Sequence, residues 1–419
     1  MLRRLSLGLV TGSVAVLAMI SGCTGILGSF EVGAGSSSGG DDGATPDGST
    51  PTDGATGDSS ATDGAVDAPP TCTAPEVACG NVCANLKTSP LHCGQCGRSC
   101  GGGTCTNGGC STFTVVPPTA SPIDSFDVAT GAVLFSTQDR LLSCPKDTGC
   151  TATITPKQLG QTMYGFGVVT WQNATNSILF QSAPVQSTQR PAMYGCPPNG
   201  CPGVLSPWIG DGLGGFEQRI RTANDEVYVN TQNIGLAWTT CAVGTCASPA
   251  KQLGLKGTHG FTAGANQVYF IDSGARGGTI ARCAKTDTAC VPTTIVPGDH
   301  SSVEALELHQ GTLYWFQKGR DDFSEGKLFA CSLSLDCSVF ANQKVLVNGL
   351  DSPVDLHVDA QGISWLTAKG KLQRCENTAC TGGAKDVLPD PLPMARNLVT
   401  NQGFYYWLES GNRIVRLAR

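Results

Sequence analysis

Six cysteine pairs recur along this chain at nearly even intervals, and no other feature constrains its fold as strongly. Four to six residues separate the two cysteines of a pair, and the first members of successive pairs lie 42 to 52 residues apart. Self-similarity with a period of this length is typical of repeat proteins, in which each repeat forms one supersecondary unit. We refer to each pair as a clasp, and the six clasps are Cys144 with Cys150, Cys196 with Cys201, Cys241 with Cys246, Cys283 with Cys290, Cys331 with Cys337 and Cys375 with Cys380.

A segment of similar composition lies upstream of every clasp. These segments are AVLFST, SILFQS, EVYVNT, QVYFID, TLYWFQ and GISWLT, and a seventh, FYYWLES at 404–410, has no clasp. Around each segment, β-forming residues alternate with Gly, Asn and Asp turns, which predicts four short antiparallel strands per repeat. Repeats of this kind form the blades of β-propellers. We therefore predict an all-β fold with a seven-bladed β-propeller over residues 111–419, and a six-bladed ring is the alternative.

The last repeat offers only three strands, at 396–400, 404–408 and 413–417. A spare strand, TFTVVP at 112–117, precedes the first repeat, and we predict that it completes the last blade and closes the ring. Such closure leaves no strand edge unpaired. Leu417 occupies the position of the first clasp cysteine in this repeat, which explains why a seventh clasp is missing.

The clasp spacing predicts local disulfides. Two cysteines that flank a hairpin loop, one on the third strand and one on the fourth, come within the roughly 4.4 to 6.8 Å Cα separation that a disulfide requires. A crosslink around such a short loop stabilises the fold by about 2 kcal/mol. A redox-active pair of the thioredoxin type needs two intervening residues, which no clasp has. The large aromatic residues of the same repeats, Tyr269, Trp315, Trp365 and Trp407, are predicted to fill the core between blades.

The N-terminus predicts export. It begins with Arg3 and Arg4, continues with a mostly apolar stretch from Leu5 to Ile20, and ends in small residues before Cys23. This order is typical of a secretory signal. The 21 cysteines of the chain also indicate an oxidising compartment.

The sequence ISGC at 20–23 resembles the lipobox of bacterial lipoproteins. The resemblance implies that residues 1–22 are a signal peptide that is removed, and that Cys23 is acylated, with palmitate for example, and anchors the chain to a membrane. Thr24, rather than Asp, follows the cysteine, so the resemblance implies an outer-membrane lipoprotein of the cell envelope. An ordinary signal peptide or an uncleaved membrane helix is the alternative.

Two further segments precede the repeats. Residues 23–70 are rich in Gly, Ser, Thr and Asp and contain neither Lys nor Arg, which predicts a disordered acidic linker. Residues 71–110 contain eight cysteines and too few apolar residues for a core, which predicts a small module held by four disulfides of open pairing. The module cysteines are Cys72, Cys79, Cys83, Cys93, Cys96, Cys100, Cys105 and Cys110.

The pattern CGNVC…HCGQCGRSC in this module resembles a cysteine-rich module found beside the stalks of bacterial surface lipoproteins. The resemblance implies a structural role. Zinc bound by Cys93, Cys96 and Cys100 is the alternative that the spacing of these three residues allows.

The strands LYWFQ, VYFID and YYWLES resemble the YWTD-type repeat of β-propellers. The resemblance covers about 300 residues and implies the same ring-shaped fold. Asp272 and Glu409 match the acidic position of that motif.

The sequence contains few signals for chemistry. The formal net charge of -6 is spread along the chain without a basic stripe, so we expect no nucleic-acid partner. No H-E-x-x-H motif or Walker-type lysine loop occurs, and the glycines Gly210, Gly212 and Gly215 match G-x-G-x-x-G in a segment that shows no helix start. We therefore predict no cofactor and no metal.

Propellers place ligand sites at the mouth of the central channel, where the innermost strands begin. A mixed ring of acids, bases and imidazoles there could bind a ligand or transfer protons, and it could equally be a hydrated channel lining. The predicted mouth residues are Asp124, Tyr164, Arg219, His259, His300, Asp351, Asp355 and Arg396.

Three hypotheses for function follow. The first is a monomeric lipoprotein, anchored to a membrane through its lipid, whose propeller binds a protein or polysaccharide in binding or adhesion. The second is a propeller enzyme, a lyase or hydrolase that acts at the channel mouth through His259 and His300. The third is a passive structural protein of the envelope. We favour the first and expect no catalysis.

Overall fold

A computed structural model describes residues 70–419 except for several internal segments, of which the longest are 202–218 and 240–250. For most strands between 157 and 259 it describes the backbone path alone. The predicted signal peptide and most of the predicted linker lie outside these residues. Within the described part, no helix is both long enough and apolar enough to cross a membrane.

The described residues form seven antiparallel sheets of three or four strands, each a meander of consecutive strands with one exception at the end of the chain. We label them sheets A to G in chain order. Sheet A contains β6 (Ile123–Val128), β7 (Ala132–Thr137), β8 (Arg140–Pro145) and β9 (Lys157–Gln161), and sheet B contains β10 (Tyr164–Gln172), β11 (Ser177–Ala183) and β12 (Ala192–Cys196). Sheet C contains β13 (Arg219–Ala223), β14 (Glu226–Thr231), β15 (Gly235–Thr239) and β16 (Lys251–Leu255).

The remaining sheets follow the same plan. Sheet D contains β17 (Thr258–Ala263), β18 (Gln267–Asp272), β19 (Thr279–Ala284) and β20 (Thr293–Val296). Sheet E contains β21 (Val303–His309), β22 (Thr312–Gln317), β23 (Gly326–Ser332) and β24 (Lys344–Leu350). Sheet F contains β25 (Pro353–Asp359), β26 (Gly362–Thr367), β27 (Leu372–Cys375) and β28 (Lys385–Asp386).

Sheet G joins the two ends of the described chain. Its strands are β29 (Arg396–Asn401), β30 (Phe404–Glu409), β31 (Arg413–Ala418) and β5 (Phe113–Val116), in that order. The predicted pairing of the spare strand with the last repeat is therefore confirmed, with Ile414 opposite Val116. Val115 and Val116 are fully buried, so β5 contributes to the core as well as covering the edge of β31.

Tight turns with positive φ connect the first two strands in sheets E and G. Gln310 and Gly311 have φ values of 46° and 73°, and Gln402 and Gly403 have values of 47° and 82°. Two consecutive residues in the left-handed region are typical of type I′ hairpins, whose twist matches that of the flanking strands. Glycine at the second position removes the steric cost of this conformation.

Five of the six clasps lie among the described residues, and the two cysteines of each form a disulfide. The Cα separations range from 4.8 Å for Cys375–Cys380 to 6.0 Å for Cys331–Cys337. The prediction of local disulfides is confirmed for these pairs, which also include Cys144–Cys150, Cys196–Cys201 and Cys283–Cys290.

The remaining clasp lies outside the described residues. Cys241 and Cys246 both fall in the segment 240–250, which the structure does not describe. The disulfide between Cys241 and Cys246 therefore stays a prediction from the sequence.

The position of the second clasp cysteine differs from the prediction. The first cysteine does lie on the third strand, as Cys375 does on β27, but Cys380 precedes β28 by several residues. Cys337 likewise lies in the connection before β24. The disulfide therefore closes a loop at the end of the third strand and does not join the third strand to the fourth. The connection between the third and fourth strands is longer than a two-residue hairpin turn. The second cysteine therefore lies within this connection, before the fourth strand begins.

The clasps are also more buried than a crosslink of an outer hairpin would be. Cys375 and Cys380 pack in one cluster with Tyr314 and Phe316 of the preceding sheet. Cys144 and Cys150 pack in the same way against sheet G. Each of these disulfides therefore fills space between two neighbouring sheets, where it adds apolar contact as well as a covalent bond.

The predicted interior position of the large aromatics is confirmed. Trp315, Trp365 and Trp407 are fully buried, and Tyr269 is 6% exposed. Trp315 stacks on Phe329 across the sheet, with ring centroids 5.4 Å apart. These rings belong to the clusters that join adjacent sheets.

The module at 71–110 contains four disulfides and two short hairpins. The hairpins are β1 (Val77–Cys79) with β2 (Val82–Ala84), and β3 (Cys105–Thr106) with β4 (Gly109–Cys110). The disulfides, whose pairing the sequence left open, are Cys72–Cys83, Cys79–Cys96, Cys93–Cys105 and Cys100–Cys110.

The alternative of a zinc site at Cys93, Cys96 and Cys100 does not fit this pairing. The three cysteines bond to three different partners, and Cys96 joins the far side of the module through Cys79. The three cysteines are close together in the sequence because three of the module's four disulfides each have one cysteine in this segment.

Arg416 attaches the module to the sheets. Its side chain is 1% exposed, and its guanidinium donates hydrogen bonds to the carbonyl oxygens of Gly101 in the module and of Lys146 and Asp147 in sheet A, the last at 2.7 Å. The same guanidinium lies 4.9 Å from the ring centroid of Phe113 in β5. One buried side chain therefore contacts the module, the first sheet and the closing strand.

Cys110 gives the module a second attachment. It lies three residues before β5, the fourth strand of sheet G, and packs against the cluster that contains Leu417. Leu417 pairs with Tyr405 in the register in which Cys375 pairs with Ile363. The predicted equivalence of Leu417 and the first clasp cysteine is therefore confirmed, and Cys110, bonded to Cys100, takes the place of the second.

Candidate functional site

The innermost strands of neighbouring sheets lie side by side with matching positions in contact. The backbone N–H of Leu398 in β29 donates to Asp355 of β25 at 3.4 Å, and the hydroxyl of Thr400 lies 2.5 Å from Nε2 of His357. On its other side, β29 reaches β6 through a hydrogen bond from Arg396 to the carbonyl oxygen of Ile123. The first residues of β25, β29 and β6 are therefore at one end of the sheets, where the mouth was predicted.

The described mouth residues fall into three groups. Asp124 and Arg396, from sheets A and G, interact electrostatically across the junction between these sheets. Asp355 is 1% exposed and bonds to the backbone of β29, so it joins two innermost strands and is not open to solvent. Asp351 forms a salt bridge of 2.8 Å with Lys369, and both side chains are exposed. The side chains of Tyr164, Arg219, His259 and His300 lie outside the described residues.

The fold shifts the pKa of one mouth carboxyl, that of Asp124. Burial of the group raises its pKa, and the nearby Arg396 guanidinium partly offsets the rise. A carboxyl beside a guanidinium presents an acceptor and several donors at one point. Such a pair can form paired hydrogen bonds with hydroxyl, amide or carboxylate groups of a ligand.

A second polar cluster lies at the opposite end of the innermost strands, and the sequence did not predict it. We call it the C-terminal cluster, and it contains His309, His357, Asp359, Thr400 and Arg419. Nε2 of His357 lies 3.2 Å from Oδ2 of Asp359, and Arg419 binds both oxygens of that carboxylate. Arg419 also lies over the ring of Tyr405, 5.0 Å from its centroid.

The charges of this cluster are strongly coupled. Burial opposes ionisation of Asp359, but hydrogen bonds from His357 and Arg419 outweigh it and hold the pKa of Asp359 well below its usual value. Burial lowers the pKa of His309, while Asp359 acts in the opposite direction and His357 adds to the lowering. At neutral pH the cluster therefore contains an ionised carboxylate, a guanidinium and a neutral His309.

The cluster belongs to a repeated pattern. In five sheets the fifth residue of the innermost strand is polar and buried, although its neighbours in the strand are mostly apolar; these residues are Asp127, Thr262, Glu307, His357 and Thr400. The residue opposite it on the second strand is often a tyrosine or serine, as in Tyr314 opposite Glu307 and Ser364 opposite His357. Ser364 and Tyr405 continue the pattern across the junction of sheets F and G, with their hydroxyl oxygens 2.8 Å apart.

Polar residues at a fixed position of otherwise apolar strands were the signal that could have revealed this pattern. The innermost strands read IDSFDV, VEALELH, PVDLHVD and RNLVTN, and the fifth residue of each is polar. A strand that is covered on both sides is expected to be a nearly continuous apolar run, so a polar residue within it indicates polar contacts between neighbouring sheets. His357 and Thr400 bind each other across the junction of sheets F and G, which favours a structural role there, whereas the pair Asp124 and Arg396 is more open.

No protein-family model matches the chain, and no curated protein matches it. Solved structures do match. The WD40 β-propeller domain of Doa1 is 11% identical, with a TM-score of 0.53, over 74% of this chain and 96% of that chain. YCF48 bound to D1 peptide is 15% identical, with a TM-score of 0.52, over 74% and 94%. Virginiamycin B lyase from Staphylococcus aureus is 8% identical, with a TM-score of 0.51, over 74% and 98%.

The similarity to these structures, together with the sheet topology, shows that residues from about 111 onward form a β-propeller. Identities this low establish the fold alone, because propellers carry many unrelated functions. One of the three similar structures holds a peptide and another is a lyase. What this chain binds must therefore be inferred from its own residues.

Proposed function

We propose that this chain is a lipid-anchored cell-envelope protein whose seven sheets form one closed, seven-bladed propeller that binds a protein or polysaccharide. The seven described sheets and the pairing of β5 with β31 support the blade count and the closure. The lipid would be attached to Cys23, with residues 23–70 as the linker. The disulfides support an exported chain, because such bonds persist in oxidising compartments.

The observation that carries the binding role is the convergence of Asp124 and Arg396. These residues lie near opposite ends of the repeat region, and the closure of the sheets brings them together at the predicted mouth. The pair offers both signs of charge within one small area. A ligand rich in hydroxyl or amide groups matches it, which describes both polysaccharides and peptide backbones.

The binding role is tested with the purified mature protein. The protein is presented to cell-wall polysaccharides and to solubilised envelope proteins, and the retained species are identified by mass spectrometry. The variant Asp124→Asn with Arg396→Gln should lose most of the retained ligand. Asp386→Asn is the matched control, because it removes an exposed carboxylate from a salt bridge on the outer strand β28, which carries no predicted mouth residue. Equal retention by all three proteins would contradict the role of the mouth.

Lipid anchoring and blade count have separate tests. Replacing Cys23 with Ser should abolish labelling by a fatty-acid probe and release the protein from the membrane fraction. A labelled Cys23→Ser variant would contradict the anchor. An experimental structure with six blades would contradict the proposed ring.

The lyase or hydrolase alternative depends on His259 and His300. Their side chains lie outside the described residues, and the His residues that are described in the propeller, His309 and His357, belong to the coupled C-terminal cluster. Turnover of a polysaccharide or peptide during the retention assay, lost on substitution of His259 or His300, would favour the enzyme over the binding protein.

A further inference from the structure

The connection between β23 and β24 carries three exposed apolar side chains within six residues. Leu335 is 53% exposed, Val339 is 47% exposed and Phe340 is 71% exposed. Single exposed apolar residues are common on protein surfaces, but a local group that includes a phenylalanine usually marks an interaction site. We call residues 332–343 the apolar loop.

The apolar loop is held in a fixed shape. The disulfide Cys331–Cys337 closes its first half. Asp336 accepts hydrogen bonds from the backbone N–H and the hydroxyl of Ser338, at 2.9 and 2.6 Å. The side chain of Asn342 donates to the carbonyl oxygen of Asp336 at 2.8 Å. A braced loop keeps its apolar side chains pointing outward, so their exposure is a property of the fold.

The loop lies at the same end of the propeller as the module. Leu333 donates to the carbonyl oxygen of Gly311, in the turn between the first two strands of sheet E. Lys146 makes the equivalent bond to Gly131 in sheet A, and Arg416 joins that connection to Gly101 of the module. Because the sheets repeat one plan, these connections share one end of the ring.

The exposed apolar group continues in the neighbouring sheet. Val291, in the corresponding connection of sheet D, is 85% exposed. The only charged residue of the apolar loop is Asp336, and Lys344 follows the loop directly. A nearly neutral surface with an aromatic and several aliphatic side chains matches the boundary between lipid headgroups and acyl chains, where such residues partition favourably.

The path of the chain indicates which surface the apolar loop contacts. The described residues begin at Pro70 in the module, so the linker and the proposed lipid at Cys23 leave from the end that carries the apolar loop. If the linker is disordered as the sequence predicts, its roughly 45 residues would span about 35 to 40 Å, which would keep the head within reach of the anchoring membrane. A weak apolar contact suffices under these conditions, because tethering raises the effective concentration of the membrane surface.

We propose that this end of the propeller rests on the lipid bilayer to which the chain is anchored, with Phe340 inserted into the headgroup region. The proposal rests on the proposed function, since the anchor supplies the proximity. It leaves the opposite end, with Asp124 and Arg396, facing away from the membrane. The lipid therefore orients the ligand-binding mouth as well as retaining the protein.

The test uses the mature chain, residues 23–419, with Cys23→Ser, so that neither acylation nor the apolar stretch from Leu5 to Ile20 contributes to its outcome. The protein is sedimented with vesicles of phosphatidylethanolamine and phosphatidylglycerol, and the bound fraction gives a partition coefficient. Adding Phe340→Asp should lower this coefficient by about threefold or more, because a charge replaces the inserted ring. Met394→Asp is the matched control, since Met394 is 73% exposed and lies just before β29, at the opposite end.

A second measurement uses the lipidated protein on the same vesicles. Hydrogen exchange in residues 332–343 should be slower than in the soluble Cys23→Ser protein, whereas exchange around Met394 should not change. Equal partitioning of the Phe340→Asp and Met394→Asp variants, or unchanged exchange in the apolar loop, would overturn the proposal. A dimer in sedimentation velocity that Phe340→Asp dissociates would assign the loop to a second copy instead. Failure of the anchor itself would appear separately, as absent labelling of Cys23.

Discussion

Sheets F and G hold their fourth strands in two different ways. In sheet F, the disulfide Cys375–Cys380 closes a loop at the end of the third strand, and the fourth strand β28 is the next strand along the chain. In sheet G, the fourth strand is β5, from the other end of the described chain, and Leu417 replaces the first clasp cysteine. The missing covalent bond is replaced by Arg416 and by the Cys100–Cys110 disulfide of the module.

The difference shows that the module packs against sheet G and helps to hold its fourth strand. Gly101 and Gly102 lie so close to the rings of Phe404 and Phe113 that a Cβ atom on either glycine would approach within 3.0 Å of them. Clasped sheets are stabilised within one repeat, whereas sheet G depends on contacts between residues far apart in the sequence. Four predictions test this contrast, from the largest expected effect to the smallest.

Replacing Arg416 with Ala should lower the free energy of unfolding by about 3–5 kcal/mol, because three carbonyl oxygens, in one buried and two partly buried hydrogen bonds, lose their charged donor. The measurement is chemical denaturation of the mature protein, followed by tryptophan fluorescence. Arg413→Ala is the control, since Arg413 lies on the same strand as Arg416 but is partly exposed, and it forms a salt bridge with Glu409 of the neighbouring strand β30. A loss for Arg416→Ala no larger than that for Arg413→Ala would show that sheet G does not depend on this residue.

Replacing Cys100 and Cys110 together with Ser should cost about 2–4 kcal/mol, because the bond closes a loop within the module and also fixes the residue that leads into β5. Hydrogen exchange should accelerate in residues 113–116. The paired variant Cys72→Ser with Cys83→Ser removes a bond far from β5 and serves as the control. Unchanged exchange in β5 would separate the module from ring closure.

Replacing Cys375 and Cys380 together with Ser should cost about 1–3 kcal/mol, because a buried bond around a short loop is lost while sheet F keeps its consecutive strands. The fold and ligand retention should be unchanged. Circular dichroism and denaturation of the variant provide the measurement. Unfolding of the whole protein would contradict the local role of the clasp.

Replacing Asp359 with Asn should cost about 1 kcal/mol at neutral pH, since this partly exposed carboxylate links sheet F to Arg419 beyond the end of β31. The pKa of Asp359 is lower in the folded chain than its ordinary value of 3.8. The ionised group therefore stabilises the fold above about pH 4, and this contribution is lost as the pH falls toward the folded pKa. The stability difference between wild type and variant should shrink between pH 5 and pH 2, and a constant difference would contradict the ion pair.

Much of the fold could be predicted from the sequence because its determinants are local or repeated. The spacing of the clasps, the Gly-containing turns and the strand TFTVVP each indicated an element that the structure contains. The burial of the clasps between sheets was not predictable, because residue spacing says nothing about what packs across a sheet. The disulfide pairing in the module was open for a related reason, since eight cysteines without a core permit many networks.

The candidate site was predicted less well. The mouth residues are predicted from their place at the start of the innermost strands, and the structure brings two of them, Asp124 and Arg396, within electrostatic reach of each other. It also included Asp355, which is buried between strands, because position along a strand does not determine the face on which a side chain lies. The C-terminal cluster was missed because Arg419 contacts Asp359, and Thr400 contacts His357, only after sheets F and G have packed.

The pairing of β5 with β31 has a consequence for how the protein is made. Under the proposed function the chain is exported from its N-terminus, so β5 would cross the membrane long before its partner, which follows every other described strand in the chain. During that interval no neighbouring strand covers Val115 and Val116, and roughly 300 residues must be translocated before the loop between the two strands can close. The clasped sheets can fold one after another in the meantime. In the proposed exported protein, sheet G can therefore be completed only once translocation has reached β31, and a prematurely terminated chain would leave β5 without its partner strand.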